Sequence, residues 1–155
     1  MQLFLMRHGE SGFDAPSDRE RTLTHHGRYQ TGQMANLLSS KISQLDLVLI
    51  SPYLRAQQTW QVLSKHLPKP RKCVVLDDIT PSGDPKTAAD VILAYADQYK
   101  ADTVLVVTHM PIVGFLVSEL VAGKEPPIFA TSAFVQIDKH LEQASYVGMS
   151  YPQAS

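Results

Sequence analysis

The chain has 155 residues, 44% apolar and 19% charged, which fits one globular domain and excludes a disordered or low-complexity protein. Its formal net charge of −1 excludes a surface built for nucleic acid or an anionic membrane, so an anionic ligand must be held by a local cluster. Cys73 is the only cysteine, which excludes an intramolecular disulfide and a multi-cysteine zinc site and suits a reducing, cytoplasmic setting.

The first apolar run, residues 2–6, is predicted as a strand; it follows no basic region and stops at Arg7, far short of a signal peptide. Thr24 is the predicted cap of a helix running to about residue 40. A second strand covers residues 47–50. After it, Ser51-Pro52 offers a capping oxygen before a proline at the first helical position, and Ala56, Trp60, Leu63 and Leu67 mark one helical face. Residues 73–76 make the third strand, with Cys73 expected to be buried. Asp84-Pro85 repeats the cap-proline start for a helix whose inner face carries Ala89, Ile92, Ala96 and Tyr99. The fourth strand is predicted over residues 103–107, and these first four read as buried parallel strands. Pro111 is placed at the first position of a last helix, whose apolar stripe runs from Ile112 to Val121 and is ended by Gly123 and Pro126-Pro127. That stripe holds Glu119 and is too short to span a membrane. Residues 133–137 and 146–149 close the chain as strands added antiparallel.

Strands alternating with helices imply an α/β fold: a single three-layer domain over residues 1–155, with a mostly parallel central sheet of about six strands, helices on both faces and right-handed crossovers. No helical cap subdomain fits, because residues 60–108 are fully used by one strand and one helix beyond the end of the second helix.

In an open sheet of this kind ligands bind beyond the carboxyl ends of the strands. Arg7-His8-Gly9 follows the first strand, Ser51-Pro52 with Arg55 the second, and Thr108-His109 the fourth. Two arginines and two histidines therefore meet helix N-termini at one edge, a setting that favours a phosphate. The sequence contains neither G-x-x-x-x-G-K-[ST] nor G-x-G-x-x-G. No arginine occurs in residues 74–79 after Cys73, so a cysteine-phosphatase loop is absent, and Arg7-His8 stands where an aspartyl-phosphate enzyme would carry carboxylates. The nucleophile that remains is histidine.

Four motifs carry a resemblance: Arg7-His8-Gly9-Glu10, Arg21-x-Leu23-Thr24-x-x-Gly27, Ser51-Pro52-x-x-Arg55-Ala56-x-Gln58-Thr59 and Thr108-His109. In this order and context they resemble the histidine phosphatase superfamily, formerly named for phosphoglycerate mutase. The short length and the stretch Phe129-Ala130-Thr131-Ser132-Ala133 look most like its bacterial SixA-type branch, the protein phosphohistidine phosphatases. The resemblance implies that His8 is the nucleophile, that Arg7, Arg55 and His109 bind phosphoryl oxygens, and that Arg21 adds a phosphate contact at the rim. It implies no metal and no cofactor, which suits phosphoryl transfer carried by positioning and fixed cations. The implied partner is a phosphorylated histidine-containing phosphotransfer domain or phosphocarrier protein, met by a cytoplasmic monomer.

Ester-cleaving relatives protonate the leaving alkoxide with a carboxylic acid, for which Asp78 is the candidate here. An imidazole leaving group, with an ordinary pKa of about 6.5, needs far less protonic help, and an uncapped groove admits a histidine on a folded protein. A broad phosphomonoesterase is the alternative within the class, and a non-catalytic phosphohistidine-binding module the alternative outside it. Taken singly, His8 and His109 read as buried core histidines, Arg55 as a solvated helix residue and Arg21 as half of an ion pair with Asp18 or Glu20. His25-His26 do not share a helical face and read as solvated or rim residues instead of metal ligands.

Overall fold

In the computed structural model, which describes residues 1–153, β1 (Gln2–Arg7) is followed by α1 (His25–Lys41), β2 (Leu47–Ile50) and α2 (Leu54–Ser64). Then come β3 (Lys72–Val75), α3 (Pro85–Gln98), β4 (Thr103–Thr108), α4 (Ile112–Leu120), β5 (Phe134–His140) and β6 (Gln143–Ser150). The six strands form one sheet in the order β3-β2-β4-β1-β5-β6. β1, β2, β3 and β4 pair in parallel, and β5 and β6 are added antiparallel. The expected fold is therefore the observed one, with no helical cap between α2 and β4. Among the described residues no helix is long and apolar enough to cross a membrane.

Alternation along the central strands builds the three layers. Leu3, Leu5, Leu47, Leu49, Val104 and Val106 point into the core under α3 and α4. Their neighbours Phe4, Met6, Val48, Ile50, Leu105 and Val107 point into the core under α1 and α2. Because both faces are covered, these strands read as unbroken apolar runs.

The third strand departs from expectation. β3 has β2 as its one neighbour, and Cys73, which pairs in register with Val48, is exposed instead of buried. Val48 faces the α1/α2 core, so the exposure of Cys73 and Val75 shows that this helical layer does not reach over the sheet edge. Val74, on the other face, packs against the α3/α4 core.

Helix starts are partly as predicted. Thr24 Oγ1 accepts the Gly27 amide at 2.9 Å, and the Asp84 carboxylate accepts the Thr87 amide at 2.9 Å with Pro85 in the first turn. α2 instead begins at Leu54 with Tyr53 at its cap, so Ser51 and Pro52 lie before it, and Leu67 is buried beyond its end. Pro111 occupies the cap of α4, one residue earlier than expected.

Register aligns the carboxyl edge. Arg7 pairs with Thr108, and Ile50 with Val107. The His8 amide then donates to the Thr108 carbonyl at 2.9 Å and the Ser51 amide to the Val107 carbonyl at 3.0 Å. Three chain segments thus leave the sheet side by side.

Candidate active site

His8 is 6% exposed and His109 1% exposed, with ring centroids 5.0 Å apart. A neutral imidazole has one donor and one acceptor nitrogen. His8 Nδ1 lies 2.7 Å from the Gly9 carbonyl, which only accepts, so Nδ1 carries the proton and Nε2 presents a lone pair. Arg55 Nε donates to that Nε2 at 3.2 Å. Burial, with Arg55, Arg7 and Arg21 adding in the same direction against the Gly9 carbonyl, pushes the His8 pKa down to about 3. Burial, then His8 and Arg55, push His109 down to about 2. Both rings are neutral near pH 7.

The Gly9 carbonyl is itself held in place. The Gly9 amide donates to Thr59 Oγ1 at 3.0 Å, while Thr59 Oγ1 donates to the Arg55 carbonyl at 2.8 Å. A Cβ at Gly9 would sit 2.6 Å from Thr31 Oγ1 and 3.2 Å from Ser132 Oγ, so only glycine fits the close approach. Gln58, beside Thr59 on the same helix, accepts the Leu23 amide at 2.8 Å, and an isolated Ser11–Leu23 bridge folds the loop between them back over the site. Arg55, Gln58 and Thr59 share one face of α2 through their i, i+3, i+4 spacing.

Arg55 is buried beneath this loop. Its Nη1 donates to the Asp18 carbonyl at 2.7 Å, its Nη2 reaches the Asp18 carboxylate at 3.4 Å, and its guanidinium lies 5.1 Å from the Tyr53 ring centroid. Arg7 Nη1 donates to the Phe129 carbonyl at 2.7 Å. Burial lowers both guanidinium pKa values, yet arginine stays cationic in proteins. Among the described residues, buried Arg7 Nε and His109 Nδ1 have no hydrogen-bond partner. A tetrahedral oxyanion in the pocket would supply acceptors for such donors.

Arg7, His8, Arg55 and His109 are therefore brought together. Arg21 sits at the rim with much of its fork engaged: Nε on the Gly12 carbonyl at 2.8 Å, Nη2 on Ser11 Oγ at 2.9 Å and Nη1 on the Asp18 carboxylate at 3.0 Å. The ion pair with Asp18 expected from spacing is present, and the same carboxylate also reaches Arg55. Hydrogen bonds from Arg21 first, then the charge and hydrogen bonds of Arg55, hold the Asp18 pKa below the ordinary range despite partial burial. Asp78 is half-buried at the same sheet edge; its neighbour Ile79 accepts from Thr108 Oγ1 at 2.6 Å. His25 and His26 are exposed. Ser51, expected as a helix cap, instead meets His109, and the contacts of Gln58 with Leu23 and of Thr59 with Gly9 carry no signal in the sequence because those partners are distant in the chain.

Comparison with known proteins bears on the family and the fold. Residues 3–79 match the model of the histidine phosphatase superfamily (branch 1). The chain is 41% identical to phosphohistidine phosphatase SixA of Escherichia coli (strain K12), over 88% of this chain and 84% of that one. It is 35% identical to a phosphohistidine phosphatase SixA homolog of Haemophilus influenzae, over 88% and 87% of the two. The solved structure of the protein histidine phosphatase SixA complexed with tungstate superposes with a TM-score of 0.90 at 37% identity, covering 98% of this chain and 97% of that one.

Proposed function

The chain belongs to the histidine phosphatase superfamily, and from that membership and its pocket we propose a phosphohistidine phosphatase acting through a covalent phospho-His8 intermediate. The substrate in this reading is a phosphorylated histidine-containing phosphotransfer domain or phosphocarrier protein. The observation that carries it is the His8 imidazole, fixed by the Gly9 carbonyl with Nε2 turned toward the Arg55 guanidinium.

The chemistry follows from those contacts. A phosphoryl group entering between the two side chains takes over the Arg55 hydrogen bond, which releases the Nε2 lone pair for in-line attack on phosphorus. The bond from phosphorus to Nε2 forms as the bond to the partner's imidazole nitrogen breaks, and the electron pair leaves on that imidazole, which takes up a proton. Arg7 and Arg55 receive the equatorial oxygens with planar forks, and His109 adds a neutral donor. Arg21 extends this reach from the rim through its remaining N–H groups. Water then attacks phospho-His8, giving inorganic phosphate and free His8. Fixed cations in a buried site stabilise the transferring group with little reorganisation.

His8→Ala is expected to abolish phosphate release from a phosphohistidine-bearing domain, while rapid quenching of the unaltered protein traps label on His8. Retained turnover in His8→Ala would overturn the mechanism. Asp78 supports a second reading, a phosphomonoesterase, through its place at the same edge; robust turnover of phosphoserine that is lost in Asp78→Asn is the result that favours it.

A further inference from the structure

Ser51 is fully buried, and its hydroxyl has two neighbours: the Tyr53 amide, which donates to Oγ at 3.2 Å, and His109 Nε2 at 2.6 Å. The amide is a donor only, so it uses a lone pair of Oγ and leaves the hydroxyl proton for His109. An imidazole that accepts at Nε2 in its neutral form carries its proton on Nδ1. His109 Nδ1 is the buried nitrogen without a partner among the described residues, and its ring lies beside that of His8. We propose that Ser51 is a positioning residue that fixes His109 as the Nδ1–H tautomer, so that this buried ring presents a donor, not a lone pair, to the phosphoryl oxygens.

The alternative tautomer fails twice. With the proton on Nε2, the fully buried Ser51 hydroxyl would have no acceptor among the described residues, a loss comparable to leaving any buried donor unmade. Nδ1 would also turn a lone pair toward an anion. The edge of the Tyr53 ring against His109, centroids 5.0 Å apart, further restricts the imidazole plane. The short Ser51-Pro52-Tyr53 segment before α2 thus supplies the hydroxyl, the amide that orients it and the ring that packs on its target. Low basicity of His109 agrees with a group that donates as a neutral imidazole.

This inference rests on the phosphatase reading only for the identity of the oxyanion, so its test begins with a measurement independent of activity. Nitrogen-15 NMR of histidine-labelled wild-type protein is expected to show His109 protonated at Nδ1 and unprotonated at Nε2 at neutral pH; the reverse pattern overturns the assignment. In Ser51→Ala the Nε2–H form should gain population, and kcat on a synthetic phosphohistidine peptide should fall about 10- to 100-fold, the scale of losing an orienting partner. Ser51→Thr, which keeps the hydroxyl, should recover most of that loss. A folded Ser51→Ala protein with unchanged tautomer and kcat, or equal losses in both variants, would refute the role. Failure of the phosphatase reading is separable: wild-type protein would then release no phosphate while its His109 signature stood.

Discussion

Arg55 shows how much one side chain does in this pocket. Its Nε meets His8, its Nη1 meets the Asp18 carbonyl, and its Nη2 reaches the Asp18 carboxylate at 3.4 Å. Lysine has the charge but not the fork, so Arg55→Lys should lower kcat about 100-fold or more in steady-state assays with a phosphohistidine peptide. Asp18→Asn should cost far less, within about tenfold, because the exposed carboxylate is a weak partner and the Asp18 carbonyl remains. The histidines give a pH prediction of definite sign. Folded values near 3 for His8 and 2 for His109 lie below the ordinary 6.5, so the unfolded chain binds more protons as pH falls through 6.5. The stability they contribute is complete above pH 6.5 and declines steadily below it, and thermal melts from pH 7 to 5 should show a shallower decline in His109→Gln. The residue types at the strand ends were legible because motif and strand order place them there. The hydroxyl of Ser51 reads as a helix cap in sequence because its real partner, His109, follows the neighbouring strand β4, 58 residues away in the chain.

At the scale of elements, the edge of the sheet opposite the pocket is tied by Asp46, just before β2. Its buried carboxylate accepts the Asp102 and Thr103 amides at 2.8 and 3.0 Å and Arg71 Nε at 3.0 Å, joining the approaches to β2, β3 and β4. Burial alone would raise its pKa; the Arg71 hydrogen bond and the two amides outweigh burial and hold it low. A lowered folded pKa means stability present above the ordinary carboxylate value and lost as pH falls through the folded one. Asp46→Ala strands the buried Thr103 amide and the part-buried Asp102 amide and should cost about 2–4 kcal/mol in urea unfolding, with a flatter loss of stability below pH 4. Its kcat should stay near wild type because the pocket lies at the other edge. α1 meets the loop after β1 as closely: a Cβ at Gly27 would collide with the backbone of Glu10. Element types and order were readable from apolar runs and caps, since Thr24 and Asp84 act within three residues of themselves. The exposure of β3 was not, because Cys73-Val74-Val75 is as apolar as a central strand and only sheet order makes it an edge.

For the molecule as a whole, the decisive feature is what the strand order leaves uncovered. β4 lies between β1 and β2, so three strand ends converge, and the short path from α2 to β4 raises no cap above them. A net charge of −1 hides this concentration: Arg7, Arg19, Arg21 and Arg28 fall within the first 28 residues beside Glu10, Asp14, Asp18 and Glu20. The rim instead carries apolar side chains. Phe13 is 83% exposed with Arg21 stacked 4.1 Å from its ring centroid, and Ile128 is 83% exposed next to Phe129, whose carbonyl holds Arg7. A phosphohistidine on a folded domain brings its surroundings into contact with such a rim, whereas a short peptide or small ester brings only the phosphoryl group. Burying one such aliphatic side chain contributes on the order of 1.5–3 kcal/mol, which corresponds to about 10- to 100-fold in affinity. Ile128→Ser should therefore raise KM for a phosphorylated domain by about tenfold while leaving kcat, and all constants for a phosphohistidine peptide, near wild type. If the two substrates respond alike, the rim plays no part in recognising a protein, and the pocket alone sets specificity.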